Sequence, residues 1–119
     1  MKLTDLSPKF LVAESPTVSR HTDSIIEAQG VMFLCPECFS ANGEKSAGVH
    51  RVTCWSRTRG TPDDRVPGPG RWALEGTGYA DLTLAAEVSD ANPEGKRSVQ
   101  LTSGCMAHFH VTNGEVTFA

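Results

Sequence analysis

No stretch of this chain stays apolar for anything near the roughly 18 residues that a membrane-spanning helix requires. Residues Met1 to Pro8 likewise lack an apolar run of signal-peptide length, so a cytoplasmic, reducing location is expected. Basic residues do not outnumber acidic ones. Eleven Lys and Arg stand against 14 Asp and Glu, for a formal net charge of -3. Generic binding to a phosphate backbone is therefore not favoured, and neither nucleic acid nor a membrane is an expected partner. There is no internal repeat and no low-complexity tract. Neither the nucleophile-elbow serine motif nor the H-E-x-x-H signature of zinc peptidases occurs.

What the chain does contain fits one modest domain spanning 1–119. Its 119 residues include 39% hydrophobic residues, 11 Gly and seven Pro, which implies short elements joined by many turns. Four cysteines are present. In a reducing compartment they are better read as metal ligands or free thiols than as disulfides.

Two short stretches carry the chemistry. Cys35-Pro36-Glu37-Cys38 follows the apolar run Val31 to Leu34, and a tight turn between its thiols turns both sulfurs to one side. Cys105-Met106-Ala107-His108 has the same spacing with an imidazole in the fourth place. Together they offer the three sulfurs and one nitrogen that tetrahedral Zn2+ accepts. The expected ligands are Cys35, Cys38, Cys105 and His108. Cys54 is the rival, but it sits beside Trp55 in an alternating strand and reads as a core thiol. His50 and His110 read as strand residues, and His21 carries no signal. A redox role for Cys35 and Cys38 would call for a helix N-terminus to lower a thiol pKa. The polar run after Cys38 predicts a turn or loop there instead.

The remaining pattern predicts a mainly β, small α+β domain: an antiparallel sheet with one short helix, stapled by zinc. Strands are expected over Lys9–Glu14, Val31–Leu34, Val49–Trp55, Arg71–Leu74, Leu82–Leu84, Ser98–Leu101, His108–Thr112 and Glu115–Phe118, with a loop over Ser15–Arg20. Asn113-Gly114 predicts a type I′ hairpin turn between the last two strands. Ser24-Ile25-Ile26-Glu27 reads as a capping box opening the helix, which Gly30 would close in a left-handed conformation. The segment Ser56–Arg71 fits no periodic element. Its Arg57, Arg59, Arg65 and Arg71 form a candidate anion or partner site, because guanidinium forks match carboxylate and phosphate. Phe33, Trp55, Trp72 and Phe109 are expected in the core.

The ordered set Phe33-x-Cys35-Pro-x-Cys38, Arg71-Trp72-x-Leu74, Asp81-Leu82-Thr83-Leu84, Ser98-Val99 and Cys105-x-x-His108-Phe109-x-Val111-x-Asn113-Gly114-x-Val116 resembles a small bacterial and prophage family catalogued as a domain of unknown function. The leads Leu3 to Pro8 and Glu27 to Phe33 resemble its phage-borne branch. The resemblance implies a metal-bound β fold and an accessory protein working in the cytoplasm of a bacterial host, with a host or phage protein as partner. More distant relatives accompany bacterial ubiquitin-like conjugation genes, where a peptidase role has been proposed. In that branch a proline precedes the serine matching Ser98, whereas here the position is Arg97.

Two functions follow. In the first, zinc is structural and the protein is a binding module, since four protein ligands leave no position for water. In the second it is a hydrolase. Either a zinc-bound water reacts, with Glu37 or Asp63 as base, or Ser98 acts as nucleophile with a histidine such as His110 as base. The binding module is the preferred reading.

Overall fold

The computed structural model describes residues 1–56, 59–61, 72–88, 92–101 and 104–119. Within them the chain is mostly β, with antiparallel sheets and one short helix. Strands β1 (Lys9–Ala13), β2 (Ser19–Thr22), β3 (Gly30–Leu34) and β4 (Arg51–Trp55) form a four-stranded sheet in the order β2-β1-β3-β4. Strands β5 (Trp72–Glu75) and β6 (Thr83–Ala86) pair with each other. Strands β7 (Val99–Gln100), β8 (His108–Thr112) and β9 (Glu115–Phe118) form a three-stranded sheet in sequence order. The helix α1 runs from Pro36 to Ala41.

Alternation explains which side chains enter the core. On β3, Val31 and Phe33 are fully buried, and Cys35 continues their face. On β4, Val52 and Cys54 stand opposite Phe33 and Val31 in the ladder. Phe33 meets Phe109 of β8 edge-on, with ring centroids 5.9 Å apart, and this contact ties the first sheet to the last. Trp55 is also buried, whereas Trp72 is only half-buried and donates its indole N–H to the Arg97 carbonyl.

The last hairpin turns at Asn113 and Gly114, both in the left-handed region at φ of 49° and 75°. Gly114 is needed twice over. Its φ lies in the left-handed region, and a Cβ there would come within 2.0 Å of the Ala80 carbonyl oxygen.

Three expectations about local structure are corrected. The segment from Ser24 is a turn and not a helix. Glu27 accepts a hydrogen bond from the Thr22 hydroxyl instead of capping Ser24, and the Gln29 amide donates to the Leu11 carbonyl, drawing the chain into the sheet. Gly30 accordingly is a strand residue; a Cβ on it would lie 2.5 Å from the Trp55 ring. The helix forms instead directly after Cys35 and runs on to Ala41, where a tight turn to Cys38 and a polar turn or loop after it were expected. Pro36 presets the first helical φ, Glu37 suits the first turn, and Phe39 anchors the helix in the core. The expected loop Ser15–Arg20 also yields to β2 at Ser19, an edge strand whose Arg20 and His21 face solvent and so gave no apolar alternation.

Candidate metal centre

The β3–β4 ladder builds half of the centre. Its register pairs Gly30 with Trp55 and Leu34 with Arg51, so one further step sets Cys35 against His50. That step is made, since the Cys35 amide donates to the His50 carbonyl at 2.9 Å. Side chains directly opposite in an antiparallel pair share a face. The buried Cys35 thiol and the exposed His50 imidazole therefore point the same way, at the end of the row formed by Val31, Phe33, Val52 and Cys54.

Helix α1 supplies the third group. One turn from Pro36 brings Cys38 back beside Cys35, and the Glu37 and Cys38 amides donate to the Cys35 sulfur. The fourth group comes from the approach to β8. Gly104 and Met106 adopt left-handed φ of 67° and 56°, Ala107 is buried, and the Cys105 sulfur is turned toward β3. Because Phe33 packs on Phe109, the two chain segments that bear Cys35 and Cys105 are held together by the core itself.

The result is a cluster of Cys35, Cys38, His50 and Cys105 whose ligand atoms all lie within 4.8 Å of one another. The four cysteines are free thiols, and Cys35 Sγ to Cys105 Sγ is 3.6 Å, far from the roughly 2.05 Å of a disulfide. Cys105 Sγ to His50 Nε2 is 3.5 Å. These separations can be compared with the edges of a coordination tetrahedron. Bonds of about 2.3 Å to sulfur and about 2.05 Å to nitrogen, at the tetrahedral angle, give edges of about 3.8 Å between sulfurs and about 3.6 Å from sulfur to nitrogen. The cluster has the size and donor set of a site that could hold a metal ion.

The proton affinities reflect the convergence. Burial pushes the Cys35 thiol up, against the amides that donate to it. Desolvation, with hydrogen bonds that the Cys38 S–H donates to the neighbouring sulfurs, pushes Cys38 up to about 12. Cys105 moves the other way, down to about 7, chiefly through its contact with His50. A bound cation would displace the thiol protons.

The placement of the expected residues differs in one ligand. Cys35, Cys38 and Cys105 come together, but the imidazole that joins them is His50 and not His108. The turn that carries Cys105 is complete by Met106, and His108 already belongs to the ladder, opposite Gln100. With Phe109 directed into the core, His108 falls on the other face, exposed, 6.4 Å from the His110 ring. Cys54 stays in the core, where burial pushes its thiol up. Ser98 lies one register step beyond Val99–Phe109, across from His110, yet no hydrogen bond joins the two among the described residues. Burial, with Arg97 and His108 nearby, lowers the His110 pKa.

Of the four arginines, Arg57, Arg65 and Arg71 lie outside the described residues, as does Asp63. Arg59 is turned inward. It donates to the carbonyls of Ile25, Ala28 and Leu74 at 2.5, 3.0 and 3.0 Å, clasping the turn before β3 to β5. That guanidinium is spent on backbone and does not present a fork to an outside anion. No helix among the described residues is long and apolar enough to cross a membrane. Comparison with family models, with curated proteins and with solved structures finds no match to this chain.

Proposed function

We propose that this protein is a small binding module of the phage or prophage accessory type, folded around a structural zinc ion held by Cys35, Cys38, His50 and Cys105. The observation that carries the zinc reading is the fit of the 3.6 and 3.5 Å separations to the edges of a tetrahedral site made of three sulfurs and one nitrogen. Soft thiolates with one imidazole in that geometry suit Zn2+ ahead of Mg2+, Ca2+ or Mn2+, which prefer oxygen. Four protein donors complete the tetrahedron, so the ion has a folding role and no position at which to activate water. It joins β3, β4, α1 and the segment before β8, which the chain separates by up to 70 residues. Binding to a host or phage protein follows from the family resemblance together with this closed site.

The hydrolase reading keeps one observation in its favour, the apposition of Ser98 and His110 across β7 and β8. Without a hydrogen bond between them, and with Arg97 in place of the proline of the relatives, it is the weaker reading.

The test is elemental analysis of protein purified without added metal, joined to a chelator titration followed by circular dichroism. One equivalent of zinc and cooperative loss of structure on its removal are expected. A fully folded protein free of metal overturns the proposal.

A further inference from the structure

We propose that the groove beside the metal centre docks a segment of a partner polypeptide that presents an apolar side chain next to a lysine or arginine. This inference rests on the zinc reading above, because the bound ion sets the charge of the groove.

The groove has a volume of about 660 Å³ and is lined by Glu37, Ser40, Ala41, Met106, His108 and Phe118, with Ala119 at its end. That size lies within the range of pockets that take a small ligand or an anchoring side chain. Its position is set by the ligands. Glu37 lies between Cys35 and Cys38 on α1, and Met106 directly follows Cys105, so each wall is a segment that the metal would hold.

Its surface is apolar where a soluble surface need not be. Met106 is 54% and Phe118 51% exposed, and they are two of the five large apolar side chains exposed among the described residues. A single exposed apolar residue is ordinary, whereas two that face one concavity form a contact surface. Methionine, unbranched and polarizable, adapts to varied apolar partners. Met106 holds this place with φ of 56°, a left-handed conformation that costs a non-glycine residue stability. The neighbouring constraints explain why it is kept: Cys105 must turn toward the cluster while Ala107 enters the core.

Charge selects the occupant. Three thiolates, one neutral imidazole and Zn2+ sum to a formal charge of -1, since a coordinating thiol is deprotonated. Glu37, exposed and in no ion pair among the described residues, adds a second negative charge on the same rim. Arg51 does not cancel it, because strand alternation places Arg51 on the face opposite His50. An apolar floor under a negative rim repels nucleic acid and anionic lipid and suits a cationic, apolar peptide.

The experiment uses the full chain loaded with zinc and three labelled hexapeptides of one length. Their central residues are Leu-Phe-Lys-Arg, Leu-Phe-Glu-Asp and Ser-Ser-Lys-Arg. Binding is followed by amide chemical shifts in two-dimensional NMR, with zinc content measured on the same samples. The expected result is preferential binding of the first peptide, with shifts centred on Glu37, Met106, His108 and Phe118. Glu37→Lys and Phe118→Ser should each weaken it on the order of tenfold. Ile26→Ser, at an exposed residue of the turn before β3, should leave it unchanged. If the protein carries one zinc and stays folded but the peptides bind alike, or shift residues elsewhere, the groove proposal is overturned and the zinc reading stands. If the folded protein holds no zinc, both fall.

Discussion

Replacing His50 by alanine separates the metal centre assembled by the fold from the one that spacing along the chain suggested. The imidazole is exposed, so truncation gives up little apolar burial and makes no cavity. Almost the whole effect must therefore pass through the ion. Loss of a mere hydrogen-bond partner of a ligand lowers metal affinity about 10–100-fold, so loss of the ligand itself should exceed about 100-fold. At 1.4 kcal/mol per tenfold, that is more than about 2.8 kcal/mol of binding free energy. Because metal binding adds to folding free energy, the same amount is withdrawn from stability at a fixed excess of free zinc. For a domain of this length each kcal/mol moves Tm by roughly 3–6 °C, so His50→Ala should melt about 8 °C or more below the wild type.

The parallel variant is His108→Ala. His108 is exposed on the far face of β8, and a surface substitution of that kind changes stability by about 0.5 kcal/mol or less. It should keep one equivalent of zinc and nearly the wild-type Tm. The assay is a pair of thermal melts, one in excess zinc and one in chelator, with competitive zinc titration of each variant. In chelator the wild type and His50→Ala should both lack a cooperative transition, because the difference between them is the ion and the fold depends on it. The reasoning is refuted if His108→Ala loses zinc while His50→Ala keeps it. It is equally refuted if the wild type keeps a cooperative transition in chelator and His50→Ala falls as far below it there as it does in zinc.

Two further outcomes follow from the same geometry. Cys105→Ser should lose the metal, whereas Cys54→Ser should keep it and lose about 1–3 kcal/mol by placing a hydroxyl in the fully buried site opposite Val31; zinc analysis and urea denaturation of both variants check the pair, and a reversed order of zinc content refutes the ligand set. Gly114→Ala should destabilise the protein by more than about 2 kcal/mol, since it combines a left-handed φ of 75° with a Cβ 2.0 Å from the Ala80 carbonyl oxygen, and a midpoint in urea close to wild type would refute it.

The sequence was informative wherever the physics is local. Cys35 and Cys38 were expected to turn their sulfurs to one side and do so, Asn113-Gly114 dictates a hairpin, and Cys54 lies in the core as its strand alternation suggested. It misled where a local signal competed with a distant one. The capping box at Ser24 and Glu27 is sound as a local motif, but Glu27 found the Thr22 hydroxyl and Gln29 found β1, so the sheet took the segment. The polar edge strand β2 carried no pattern of its own and forms because β1 lies beside it. The arginine segment could not be judged as one unit, since only Arg59 among its four lies within the described residues, and that one faces inward.

The histidine of the candidate site that spacing missed has the most instructive cause. Cys105 and His108 were joined by counting along the chain, whereas His50 is reached by counting across a ladder. Each half of that count was visible: Val31, Phe33 and Cys35 share one face by period two, and so do His50, Val52 and Cys54. What joined the halves was the register, and the register has a physical origin at the far end of the pair. The buried Trp55 ring needs a residue with no side chain opposite it, and a Cβ on Gly30 would stand 2.5 Å from that ring. Seating Trp55 over Gly30 makes the residue numbers of every facing pair sum to the same value, from Gly30 with Trp55 through Leu34 with Arg51. Five residues along, the partner of Cys35 can only be His50. A glycine that makes room for a tryptophan at one end of the ladder thus decides which imidazole joins the candidate metal site at the other. A one-residue slip would turn His50 to the opposite face and leave the three sulfurs without their nitrogen.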